Sequence, residues 1–173
     1  MGERNNDNYI ALIAESAAEQ AILDVLIDEG FLIYPKEQLL EESVIRTRNA
    51  KSFERKHLSY ELESGKQVEI FRVLDSKNEK FKLSRAYMNK VASITNIRTS
   101  PEIEMLFIVH FKEYKRWEKS GQKPSEFIKQ HHVKDIGGNI KAYQNVYDYW
   151  VSRPMELLAA IQECNRVSQV PRE

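Results

Sequence analysis

The chain has 173 residues, of which 42% are hydrophobic and 30% charged, with only 6 Gly and 5 Pro; this is the composition of a folded domain and excludes disordered, collagen-like and low-complexity classes. Twenty-six basic and 26 acidic side chains give a net charge of zero, which argues against a protein that coats nucleic acid through charge alone. No apolar run approaches the roughly 18 residues of a membrane span, the polar start MGERNNDNYI lacks the features of an export signal, and the single cysteine, Cys164, forms no internal disulfide. These features lead us to expect one cytoplasmic domain over 1–173, with a core and its site over 8–120 and helices packing on it from 121–173.

In chain order, YIALIA (9–14) is a short apolar run that fits a buried strand. Ser16 with Glu19 three residues on is a capping box, and Ala18, Ile22, Val25 and Leu26 continue at helical spacing until Gly30 stops the helix. FLIYP (31–35) reads as a second short strand, and 49–63 as a helix ended by Ser64-Gly65. VEIFRVLD (68–75) reads as a strand entering the middle of a sheet, followed by a polar loop and a helix in the eighties and nineties. TSPEIEMLFIVHFKEYKRWEK (99–119) predicts one helix, with Thr99 or Ser100 as N-cap, Pro101 at the first helical position, and Glu102 and Glu104 in the first turn. The remainder, with Ile140, Tyr143, Tyr147 and Trp150 and then Leu158, Ile161 and Val167, predicts helices on the core.

Strands alternating with helices imply a mostly parallel α/β sheet, in which ligands sit beyond the carboxyl ends of the strands. Glu15 and Asp75 end the two best strands and therefore meet at that rim if the strands are neighbours. Charge is also segregated along the chain: 1–45 carries a balance of −8 and 46–90 a balance of +6. The pattern suits an acidic metal cluster beside a phosphate-attracting surface, and equally two solvated faces pairing their charges. Among Arg46, Arg48, Lys51, Arg72, Lys77, Lys80 and Lys82, the candidates for steering a polynucleotide are Arg46, Arg48 and Lys77.

Three blocks, IAESAAEQAIL (13–23), FRVLDSKNEKF (71–81) and TSPEIEMLFIVHF (99–111), resemble the signature of the RloB-like branch of the Toprim superfamily, which is linked to restriction and phage-abortive systems. Glu15 and Glu19, then Asp75, then Pro101, Glu104, His110 and Phe111 fall at the matching positions. Two positions depart from the pattern: Ser16 stands where Gly is usual, and Lys77 where a second aspartate is usual, with Glu79 two residues further on. A lysine does not ligate magnesium, so either Glu79 replaces the missing acid or the site holds its metal weakly.

The resemblance implies a Toprim-like, mixed and mostly parallel sheet flanked by helices, with a helical C-terminal segment. It implies a nuclease dependent on Mg2+ or Mn2+ that hydrolyses RNA or DNA in antiviral defence, with a separately encoded ATPase as a partner. Glu15, Asp75 and Glu79 would be catalytic and would hold the metal together with Glu104, with Glu19 and His110 as secondary candidates. The alternative is a non-catalytic Toprim-fold subunit that binds nucleic acid or regulates a partner ATPase.

Overall fold

The computed structural model describes residues 8–63, 65–74, 80–99 and 102–168. The expected first unit forms as read: strand β1 (Tyr9–Ala14), the N-cap Ser16, then helix α1 (Ala17–Asp28), closed by Gly30 at a φ of 68°. The β-branched and aliphatic residues of β1 are buried on both faces, as a central strand of a parallel sheet requires. Strand β2 is only Ile45–Arg46; helix α2 (Ala50–Phe53) continues as a π-helical turn over Glu54–Leu58. Strand β3 (Val68–Leu74) and strand β4 (Val91–Arg98) complete one four-stranded sheet in the order β2-β1-β3-β4, with every pairing parallel.

Alternation along the strands divides the core into two layers. Ile10, Leu12 and Ala14 of β1, with Val73, face α1 and the C-terminal helices. Ala11 and Ile13, with Val68 and Ile70, face Ala50, Phe53, Leu58 and Leu83. The helix after β1 thus covers one face and the helix after β2 the other, which is the doubly wound arrangement that follows when the chain reverses its direction across the sheet. The buried Glu54 carboxylate accepts the Ser84 N–H and ties the π-helical turn to the segment leading into β4.

The C-terminal half is helical as expected: α3 (Met105–His110), α4 (Tyr114–Ser120), α5 (Pro124–His131), α6 (Tyr143–Val151) and α7 (Pro154–Ser168). Trp150 and Phe107 are buried with ring centroids 5.0 Å apart. Tyr143 and Tyr147 donate to Asp24 at 2.9 Å and Asp28 at 2.7 Å, fastening α6 to α1. That hydrogen bond to Asp28 pushes the Tyr147 phenol up to about 12. Burial likewise pushes the Cys164 thiol up to about 12, in keeping with a helix packing residue rather than a nucleophile.

Four expectations are corrected. FLIYP (31–35) is not a strand: Ile33 is 78% exposed, Phe31, Leu32 and Tyr34 pack individually, and the chain returns to β1 through a single parallel bridge at Leu39 and then through β2. The helix expected in the eighties and nineties is a 3-10 turn over Arg85–Lys90 followed by β4, whose Val91, Ile94, Thr95 and Ile97 are β-branched and favour extended backbone. The expected helix over 49–63 ends at Leu58. The expected helix over 99–119 is two helices, because Lys112 takes a left-handed φ of 60° while its N–H reaches Val109 O and that of Glu113 reaches Ile108 O, a Schellman-type ending. Thr99 belongs to the strand side of this segment, bonding back to Leu74 O, while Ser100 and Pro101 lie outside the described residues.

Candidate functional site

Strand order locates the site. Moving along the chain, β1 is followed by a neighbour on one side (β2) and later by a neighbour on the other (β3), so the connections diverge between β1 and β3. In open parallel sheets that divergence opens a crevice at the carboxyl ends of the two strands. Glu15 follows the last residue of β1, and Asp75 follows the last residue of β3, although Asp75, Lys77 and Glu79 lie outside the described residues.

Glu15 continues the alternation of Ala11 and Ile13 and so turns to the α2 face of the sheet. There its Oε1 accepts from Arg72 Nη2 at 3.3 Å, and both side chains are only 1% exposed. Arg72, one of the basic residues of the 46–82 stretch, thus turns inward to this pair. Its guanidinium is held on two further sides, donating to Asn96 Oδ1 of β4 at 3.1 Å and lying 4.4 Å from the Phe81 ring centroid. Burying either charge alone is unfavourable by several kcal/mol, so the pair forms as a unit. The sequence carried a signal for it: Arg72 shares its strand face with Val68 and Ile70, both fully buried, and a charge on such a face needs a partner.

Glu19, a secondary candidate, is also buried, but its Oε2 accepts the backbone N–H groups of Glu15 and Ser16, each at 3.0 Å, while Ser16 Oγ accepts from Glu19 N. This is the capping box, extended by one bond to the site residue itself. Glu19→Ala should therefore destabilise the chain by about 1–2 kcal/mol in urea titration, the upper part of the N-cap range, because two amides lose their acceptor together.

Glu104 is buried on the residue preceding α3, whose helix packs in the α1 layer. Glu102, expected in the first turn of the same helix, instead accepts from Ser125 N at 2.9 Å, at the start of α5. His110 is a packing residue: it lies among Phe111, Tyr149 and Trp150, with Glu156 Oε2 at 3.5 Å. Burial holds its pKa below the usual 6.5, against the opposing pull of Glu156. The unfolded chain therefore binds this proton more readily than the folded one, so stability is lost as pH falls below about 6.5. His110→Gln should flatten that part of the profile, measured as wild type minus variant in unfolding experiments between pH 7 and pH 5.

Comparison with protein-family models, curated proteins and solved structures finds no match.

Arg46 pairs in register with Ala14, the residue before Glu15, and Thr47 N bonds to Ala14 O at 3.2 Å. Arg46 and Arg48 are both exposed, and Arg46 sits one strand away from Glu15 on the same rim. The structure thus brings together Glu15, Arg72 and the end of β2. Among the described residues no three His, Cys, Asp or Glu side chains gather around a common metal position. His131 and His132 engage neighbouring side chains: the His131 ring lies 4.7 Å from that of Phe127, and His132 stacks on Phe111 at 4.1 Å and bonds Asp135.

Proposed function

We propose that the chain is a Toprim-like nuclease, dependent on Mg2+ or Mn2+, that hydrolyses phosphodiesters of RNA or DNA in antiviral defence. The observation that carries this reading is the divergence of the all-parallel sheet between β1 and β3, the two strands followed by Glu15 and Asp75.

Carboxylate oxygens are the hard donors that magnesium selects, and Glu15 with Asp75, completed by Glu79 or Glu104, would hold the ion. When bound, such an ion stabilises charge on the attacking and leaving oxygens of a phosphoryl transfer. The Glu15 carboxylate has the Arg72 guanidinium beside it as a counter-charge, 3.3 Å away. The capping box fixes the backbone from which that carboxylate projects. Arg46 and Arg48, with Lys77, would attract the polynucleotide backbone at the rim.

One observation favours a second reading, a non-catalytic nucleic-acid-binding or regulatory subunit that works with a partner ATPase: the Glu15 charge is already balanced by Arg72. Labelled RNA and DNA incubated with the full chain in Mg2+, Mn2+ or EDTA decide between the two. Nuclease function requires cleavage that EDTA stops and that Glu15→Gln and Asp75→Asn abolish. Tight binding without cleavage in either metal supports the second reading.

A further inference from the structure

Beside the end of β2 lies a small cavity of ≈ 50 Å³, walled by Arg46, Thr47, Ser52, Lys56 and His57 over an apolar floor from β2 and α2. Its size separates it from the roughly 300–1,000 Å³ pockets that take nucleosides and other whole small molecules. A single compact ion fits. The wall offers two permanent cations, two hydroxyls and an imidazole, and no carboxylate, so the ion is an anion with several acceptor oxygens.

The wall is held from behind. His57 Nδ1 lies 3.0 Å from Glu41 Oε1, and the His57 ring packs 5.2 Å from Phe53. Glu41 and its neighbour Glu42 both take left-handed backbone, with φ of 63° and 50°. Lys56 and His57 project from the π-helical turn, an irregularity that shifts the facing of side chains within a helix. A line of packed rings, from Phe53 to Phe81 at 5.8 Å and from Phe81 to Arg72 at 4.4 Å, joins this wall to the Glu15 partner on the same face of the sheet.

We infer that this cavity binds the terminal phosphate of a nucleic-acid strand, one β-strand away from Glu15. A phosphomonoester carries close to two negative charges at neutral pH, matching the permanent charges of Arg46 and Lys56, whereas an internal phosphodiester carries one. That the phosphate belongs to a polynucleotide rests on the nuclease reading; that the cavity takes a phosphate does not.

The test uses the full chain and two probes: inorganic phosphate in calorimetry, and a short single-stranded oligonucleotide with a phosphate at the 5′ end, at the 3′ end, or at neither, in fluorescence anisotropy. Phosphate should bind the wild type, and Arg46→Gln and Lys56→Gln should each weaken it about tenfold, as expected for one charge-assisted contact. Lys129→Gln, on the exposed side of α5, should leave it unchanged. A phosphorylated end should bind more tightly than the unphosphorylated strand, and Lys56→Gln should erase the difference. Circular dichroism shows whether each variant is folded, and Lys56 is exposed enough for its truncation to leave the core intact.

Phosphate binding that persists in both variants overturns the site. Equal affinity for phosphorylated and unphosphorylated strands overturns the terminal-phosphate assignment. EDTA should leave phosphate binding by the wild type intact, so the loss of cleavage in EDTA reports on the nuclease reading alone.

Discussion

Arg72→Leu should destabilise the chain by about 3–5 kcal/mol in urea unfolding at neutral pH, because it leaves the Glu15 carboxylate buried without its counter-charge. The leucine fills the stem of the arginine side chain, so the loss is electrostatic rather than a cavity effect. Adding Glu15→Gln should restore most of that stability, since an amide is far less costly than a bare carboxylate to bury. The double-mutant cycle isolates the pair from other consequences of removing Arg72, among them the lost Asn96 bond and the lost contact with Phe81. Near-additive single effects would mean that the two side chains do not act as a unit.

Trp150→Ala should cost about 3–5 kcal/mol, the range for removing a large aromatic from a packed interior. Trp150 is fully buried and packs on Phe107, His110 and Tyr149, where α3 and α6 meet in the α1 layer. Trp150→Phe should cost much less than alanine. Its indole N–H is buried with no acceptor among the described residues, so phenylalanine keeps most of the ring packing and removes an unsatisfied donor. Thermal unfolding of both variants checks the contrast, and equal losses would show that the N–H contributes a bond of its own.

The parts of the fold legible in the sequence are those where local chemistry and tertiary packing agree. Tyr9–Ala14 is apolar on both faces and is a central strand; Ser16 and Glu19 form the capping box that their spacing implies; Gly30 ends the helix. The misread segments are those where one signal misleads. FLIYP (31–35) is apolar yet surface-laid, and β4 is an edge strand exposed along nearly its whole length, so it lacks the alternation of apolar residues that marks a half-buried strand. The break at Lys112 was hidden because a lysine occupies a left-handed position where glycine is the usual marker.

The candidate site divides the same way. Glu15 was visible because it ends an apolar strand, and the Glu15–Arg72 pair was not, since its members are 57 positions apart and join only when β1 and β3 pair in register. The β2 cavity draws Arg46, Ser52, Lys56 and His57 from a strand, a short helix and a π-helical turn. No simple periodicity places those four side chains together, although Arg46 on its own stood out within the basic stretch.

The role of Glu15 as a metal ligand at the β1–β3 crevice is tested most directly by Mn2+ binding to the full chain, followed by electron paramagnetic resonance with Mg2+ as competitor. The predicted result is bound Mn2+ that Mg2+ displaces, with affinity reduced roughly tenfold or more in Glu15→Gln. Absence of binding by the wild type, or equal binding by wild type and Glu15→Gln, would contradict it.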